Sequence, residues 1–449
     1  MHHALVFILA LVGVLNIVDR QIINILAQDI KTSLVINDGE LGLLTGTSFG
    51  VFYAILGIPL GRLADRVDRF RLIAVSLALW SACTALCGIS HGFSSLFLGR
   101  MGVGVGEAGS QPASTALIAD VVPRAERNRA MSLLLMSIPV GSFLGLTLGG
   151  YVGAHWGWRT AFLCASAPGI ALAALMLLTR PALHLRSIGS TSEQATDDSA
   201  PPAVESDRIA KSPGERRLNP LLEDIRQMLE RPRFRWLIVA MTASTFLVYA
   251  SSAWLPLFLI RVHGFDTATT GLYTAIAVGL GGGFGTLAAG ALCDRLRDRV
   301  IDIEAKLLMV LFALCIPIVL ATTLTPNRAL AVIFMSLYNV CAYGWLSPTV
   351  TLIQDAAPAE SRSLAIAICS TAASILSLGL GVPLVGALSD RWSTRLGPGS
   401  IGAALALSIT VAALLGLEAH RRARRDREPN PVTISDPHGR SSHRTEDSP

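Results

Sequence analysis

"GRLADRVDR" occupies residues 61–69, and "GALCDRLRDR", in the second half of the chain at residues 290–299, repeats it. Each is an aspartate–arginine loop that follows an apolar stretch, and the pairing puts Asp65 and Asp294 at equivalent positions. A second echo matches "PRAER" (123–127) to "PAESR" (358–362), each just ahead of another apolar stretch. Internal duplication of this kind in a membrane chain points to two similar halves that rock about a central site.

The composition supports a membrane setting. Of 449 residues, 51% are hydrophobic and 15% charged, too apolar for an ordinary soluble domain. A helix needs about 20 mostly apolar residues to cross about 30 Å of hydrocarbon. Twelve segments qualify, here termed spans 1 to 12: 4–28, 41–61, 72–91, 95–119, 130–152 and 158–179, then 236–260, 268–292, 305–324, 329–353, 363–388 and 399–419. The first has no basic leader and is followed by further spans, so it reads as a retained helix. The expected fold class is an all-α polytopic membrane protein, with twelve transmembrane helices in two pseudo-symmetric six-helix bundles. The bundles take residues 1–180 and 235–420, a polar cytoplasmic linker takes 181–234, and a disordered cytoplasmic tail takes 421–449. A short amphipathic helix is expected near "NPLLEDIRQMLERP" at the end of the linker.

Arginines set the orientation. Arg62, Arg66, Arg69 and Arg71, then Arg124, Arg127 and Arg129, then Arg295, Arg297, Arg299 and Lys306 fall in loops on the side of the termini, as does "RRARRDR" at 421–427. The opposite loops hold little beyond Lys31, Arg159, Arg261, Arg328, Arg391 and Arg395. This asymmetry is the positive-inside bias, and both termini are expected to lie in the cytoplasm. The net charge of +5 is thus spread over loops and suits membrane topology rather than nucleic acid.

These features resemble the major facilitator superfamily, whose loop between its second and third helices matches Gly61, Leu63, Ala64, Asp65, Arg66 and Arg69. Asp68 departs from the pattern, standing where the family usually has glycine. Gly141, Gly145, Gly149 and Gly150 resemble the family's glycine-rich fifth helix, and "GWRTAF" (157–162) is a further shared feature. "DRQIINILAQDIK" (19–31), "GLLTGTSFGVFYAILGIPLGRLADR" (42–66) and "GRMGVGVGEAGSQPAS" (99–114) are similar to the bacterial Spinster-like branch. The resemblance implies an alternating-access transporter of lysolipids or sphingoid lipids, the class exported by members of that branch. It also implies that Asp19, Arg100 and Glu107 are the working charges inside the membrane, and that Asp65 helps to hold the outward-open state. Related branches carry small organic anions, so carboxylates are the alternative substrates.

The residues themselves support a coupling site. An ionisable group at the bilayer centre costs at least about 2.5–3.5 kcal/mol on insertion scales and is a functional candidate by default. Asp19 and Arg20 lie inside span 1, while Arg100 and Glu107, two turns apart, share one face of span 4 about 10 Å apart along the axis. Gln111 and Ser114 are expected to continue that stripe, with Gly102, Gly104 and Gly106 letting another helix approach. The expected chemistry is proton exchange on Asp19 and Glu107, with Arg100, joined by Arg20, alternating between these acids and an anionic substrate group. The bland alternative is that all four charges only stabilise helix packing.

The second half offers an uncharged, amphipathic surface, with Tyr249, Trp254, Asn339 and Tyr343 as candidate substrate contacts. Gly61, Asp65, Arg66, Arg69, Arg127 and Asp294 form the expected gate at the end bearing the termini, although topology-fixing charge alone explains several of the arginines. No cofactor or metal is expected, the proton gradient being the energy source, and the protein is expected to be a monomer in the bilayer.

Other classes fit less well. There is no G-x-x-x-x-G-K-[ST] for a nucleotide-driven pump, and "GVGVGEAG" (102–109) lies in an apolar span instead of following a strand. The histidines fall at termini and loops, and the seven cysteines sit in apolar stretches without paired spacing, so neither set supports an embedded enzyme or metal site.

Overall fold

The computed structural model describes residues 2–64, 66–124, 126–193, 219–358 and 361–426, and every regular element among them is helical. Nine segments of these residues are long and apolar enough to cross a bilayer. Two are long enough for a pair of crossings each. Arg127–Leu178, of 52 residues, breaks at Gly157, whose φ of 82° lies outside the range that most side chains tolerate, and so holds spans 5 and 6. Arg362–Arg425, of 64 residues, turns at Gly397–Gly399 and holds spans 11 and 12. Span 4 adds a crossing from Phe93–Glu107 and Ser110–Val121, each too short to cross alone, run together across Ala108 and Gly109. The described helices are consistent with the twelve crossings expected.

The ends differ in detail from the expectation. The helix of span 1 stops at Ile25 and is followed by a separate short helix, Ala27–Leu34. Span 6 continues helically to Glu193, and the last helix, Ser400–Arg425, runs into the stretch expected to be disordered. A helix does form over Asn219–Glu230, with Met228 buried, while residues 194–218 and 427–449 lie outside the described residues. His420, grouped from sequence with terminal and loop histidines, is fully buried in the last helix.

One apolar core draws only on residues between Leu5 and Met176, and another only on residues between Met228 and Ala423. The largest core instead mixes both halves, joining Ile22, Ile25 and Leu41 to Phe246, Leu257 and Val382. The halves thus meet most closely at the end away from the termini. There, spans 2, 8 and 11 each contain a π-helical turn, Leu43–Thr47, Ile276–Gly281 and Ile375–Gly381, which widens the backbone ladder locally. The Thr47 hydroxyl donates across the seam to the Gly379 carbonyl at 2.6 Å.

Close approach demands glycine at this seam. A Cβ at Gly46 in span 2 would lie 2.3 Å from the Leu378 carbonyl oxygen of span 11, and one at Gly271 in span 8 would lie 2.4 Å from the Leu146 carbonyl oxygen of span 5. Backbone cannot yield as a side chain does, so Gly46→Ala should push spans 2 and 11 apart. In a cysteine-depleted background with spin labels on Val35→Cys and Arg395→Cys, both exposed at that end, the interlabel distance should lengthen relative to the parent. An unchanged distance distribution would contradict this packing.

Candidate functional site

Asp19 and Arg20 are neighbours on one helix, so their side chains leave it about 100° apart and face different partners. Asp19, only 2% exposed, turns toward Trp80 and Thr84 of span 3. Arg20 turns toward spans 2 and 4. Its Nε donates to Glu107 Oε2 at 2.7 Å, and its guanidinium stacks over the rings of Tyr53 and Phe49 at 4.5 and 4.8 Å. Tyr249, from the second half, stands beside the same guanidinium. Glu107 is the last residue of the helix Phe93–Glu107 and its side chain is fully buried, so the arginine offsets the cost of burying the carboxylate.

Arg100 does not take the place expected of it. Its Nη1 donates to the backbone carbonyl of Asp19 at 3.3 Å, and its guanidinium lies 5.4 Å from the Phe49 ring. Arg20 is therefore the partner of Glu107, and Arg100 braces span 1 from below. Asp19 Oδ1, Glu107 Oε1 and Arg100 Nε are all buried without a hydrogen-bond partner. Three such atoms in one small region mark a polar centre that this conformation leaves unsatisfied. The glycines of span 4 behave as expected: a Cβ at Gly104 would lie 2.7 Å from the Phe49 carbonyl oxygen, and one at Gly106 would lie 2.8 Å from the Trp80 backbone.

The remaining expected substrate contacts divide. Ser114 is buried, but the break at Ala108 and Gly109 interrupts the stripe and leaves Gln111 exposed. Trp254 faces away from the charges, fully buried in the second half, where its Nε1 donates to the Val382 carbonyl at 3.2 Å. Asn339 is buried, its amide donating to the Met335 carbonyl of its own helix while Oδ1 has no partner. Tyr343 packs on Gly282 of span 8. Below Tyr249, the Ser252 hydroxyl joins Gln21 at 3.0 Å and Asn24 at 3.2 Å, linking spans 1 and 7.

The expected gate is not a cross-half contact among the described residues, and Asp65 itself lies outside them. Arg69 pairs with Asp120 and also reaches the Ala64 carbonyl, and Arg127 donates to the Ala119 carbonyl at 2.6 Å, all within the first half. Asp294 is exposed and 4.0 Å from Arg297 on its own helix, Arg66 is exposed, and nothing crowds Gly61. The clasp lies at the opposite end, on residues that sequence reading missed. Arg261 of span 7 grips Asp38 with two hydrogen bonds of 2.7 and 2.8 Å. Lys31 and Ser389 add bonds of 2.5 and 2.8 Å to the same carboxylate. The Asp390 carboxylate of span 11 accepts the backbone N–H groups of Asp38 and Gly39 at 2.9 and 2.7 Å, at the N-terminus of the helix Asp38–Gly42. Nearby, Thr267 donates to Asp29 across the seam, and burial raises the Asp29 carboxyl above its ordinary value.

Comparison with known proteins now places this architecture. Residues 9–378 match the sequence model of the Major Facilitator Superfamily. The chain belongs to the Major Facilitator Superfamily. It is 31% identical over 414 residues, 92% of this chain and 90% of the other, to an "MFS-type efflux pump" of Mycolicibacterium smegmatis. It is also 31% identical to "Probable sphingolipid transporter spinster homolog 1" of Arabidopsis thaliana, over 48% of this chain and 45% of that one. The solved bacterial homolog of the human lysosomal transporter Spinster, inward-facing and unoccupied, superposes with a TM-score of 0.77 at 25% identity, covering 95% of this chain and 98% of that one. This Major Facilitator chain is therefore an integral membrane transporter of Spinster-like type.

The clasp of this Major Facilitator chain had a faint signal in "NDGE" (37–40), since Asn37 and Glu40 do form a reciprocal helix cap. Capping explains those acids well enough that nothing in the sequence directs attention to Asp38. Breaking a buried ion pair costs about 3–5 kcal/mol. Arg261→Ala should therefore shift the balance away from this closed end by about two to four orders of magnitude, at about 1.4 kcal/mol per tenfold. Labelling of Ser252→Cys by a membrane-impermeant maleimide added on that side should speed up accordingly, with Arg328→Ala as the control. Equal rates in Arg261→Ala and its parent would mean that Asp38 holds nothing shut.

Proposed function

We propose that this protein is a proton-coupled secondary active transporter working by alternating access, and that it moves a lysolipid or sphingoid-type amphiphile across the bacterial inner membrane. In this reading both termini are cytoplasmic, the Asp38 clasp closes the outer side, and the protein faces inward. The reading rests on one observation above all: the Arg20–Glu107 pair, buried between spans 1 and 4, is walled by Phe49, Tyr53 and Tyr249. An aromatic wall beside a guanidinium suits a molecule with one charged group and a long apolar body. A relative named as a probable sphingolipid transporter points the same way.

The coupling follows from competition for Arg20. While its Nε holds Glu107, the carboxylate is stabilised in its charged form. A substrate anion that draws the guanidinium away leaves Glu107 buried and unpaired, a state in which the protonated acid is favoured. Asp19, turned to span 3 and with Arg100 donating to its backbone carbonyl, is the second proton carrier. Release of the anion restores the pair and expels the proton.

Glu107→Gln should abolish acceleration by an imposed pH gradient in proteoliposomes, a loss of at least tenfold in driven uptake of a fluorescent lysolipid, while substrate counterflow persists. Undiminished gradient-driven uptake would remove Glu107 from the coupling step. A preference for small carboxylates over lysolipids in the same vesicles would overturn the substrate class but not the coupling.

A further inference from the structure

One polar atom beside the buried charges has no part in the transport reading: the indole Nε1 of Trp80, on span 3, which is fully buried and has no hydrogen-bond partner. A buried donor left unsatisfied is unfavourable and needs an explanation. Trp80, Thr84 and Cys87 follow at intervals of four and three, so they share one face of the helix Arg69–Gly88, and all three are buried. Span 4 packs against that face through glycines. A Cβ at Gly106 would lie 2.8 Å from both the Cβ and the backbone nitrogen of Trp80, and one at Gly99 would lie 2.7 Å from Cys87 Sγ. The indole is therefore pinned where it stands, against the side of span 1 that carries Asp19.

Two side chains of span 3 face the Asp19 carboxyl, Thr84 and Trp80. The Thr84 hydroxyl donates to the Trp80 carbonyl at 3.0 Å, so its one hydrogen is already placed. Arg100 meets Asp19 at the backbone carbonyl instead of the side chain. The Trp80 N–H remains uncommitted, and so does Asp19 Oδ1, each buried. An indole nitrogen only donates, and an ionised carboxylate oxygen only accepts. A bond between them is charge-assisted and about twice as strong as one to a neutral acid. The two orphaned atoms thus answer each other best when Asp19 carries its charge.

We propose that Trp80 is the positioning residue for Asp19: its indole N–H bonds Oδ1 once the acid has given up its proton, and lets go when the acid takes a proton back. This role rests on the reading of Asp19 as a proton carrier and adds to it the partner that receives the bare carboxylate. Asp19 and Glu107 are then matched in design, each acid having a donor of its own for its charged form, an indole on span 3 for one and a guanidinium on span 1 for the other. A donor fixed by packing also keeps Asp19 turned to span 3, away from Arg20, so that the two acids do not compete for one arginine.

The test is an infrared pH titration of the purified full chain in nanodiscs without substrate, following the protonated-carboxyl band that Asp19→Asn removes. In Trp80→Phe the midpoint of that band should move up by about one pH unit, a tenfold gain in proton affinity. Trp158→Phe, which removes another buried indole whose Nε1 has no partner, should leave it in place. An unmoved midpoint in Trp80→Phe, or an equal move in Trp158→Phe, overturns the proposal and leaves Asp19 a proton carrier. If no titrating band is lost in Asp19→Asn, the carrier reading fails and the role of Trp80 falls with it. Should Trp80→Phe fold poorly, ultraviolet resonance Raman of the parent and Asp19→Asn decides the matter, through the tryptophan band that reports indole N–H hydrogen bonding. That band should shift across the titration in the parent and stay fixed in Asp19→Asn, and a parent band that does not shift, or shifts equally in both, overturns the proposal.

Discussion

The ion pair between Arg20 and Glu107 is the constraint around which the rest of the molecule is arranged. Either charge alone at membrane depth costs at least about 2.5–3.5 kcal/mol on insertion scales, and neither helix can shed it without losing its partner. Spans 1 and 4 are therefore tied together through a bond of 2.7 Å, with span 2 supplying Phe49 and Tyr53 as a floor for the guanidinium. Glycines on span 4 let spans 2 and 3 come close enough to exclude lipid from that contact. The pair needs this packing to be dry, and the packing needs the pair to satisfy its charges.

Against this tied centre, the two ends of the molecule contrast. At one end Asp38 gathers Arg261, Lys31 and Ser389, and Asp390 holds the backbone of its helix, so that spans from both halves share a single knot. At the other end the polar contacts described for Arg69, Arg127 and Asp294 stay within their own half. Among the described residues, the charged contact that joins the halves is the knot at Asp38. Two packed halves with a polar knot that can be undone form a bistable element, which is what alternating access requires.

Much of this was legible in the sequence, for physical reasons that differ by residue. The spans follow from length and hydropathy alone, because hydrocarbon leaves a helix no other way to satisfy its backbone. Asp19, Arg20, Arg100 and Glu107 stand out for the same reason, as charges in an apolar run. Their pairing was not legible. The two-turn spacing of Arg100 and Glu107 suggested partners on one face, whereas the rotation between adjacent residues of span 1 delivers Arg20 to Glu107 and leaves Arg100 to a backbone carbonyl. Trp254 looked like a substrate contact because aromatic residues often are, yet which face of span 7 it occupies depends on packing against span 11. Asp38 was hidden by its place at a helix start, where an acid has an ordinary capping explanation, and Asp390 by lying just beyond the apolar stretch read as span 11, although its helix runs on to Leu396.

The central claim is that Glu107 changes its protonation state when Arg20 leaves it. Infrared difference spectroscopy of reconstituted protein, comparing substrate-free samples with samples saturated in lysolipid, reads this directly through the carbonyl stretch of protonated carboxyl groups. The account predicts a new band on saturation that disappears in Glu107→Gln and survives in Asp294→Asn. If Glu107 gives the same carboxylate signature with and without substrate, the exchange of partners at Arg20 does not move a proton and the coupling scheme is wrong.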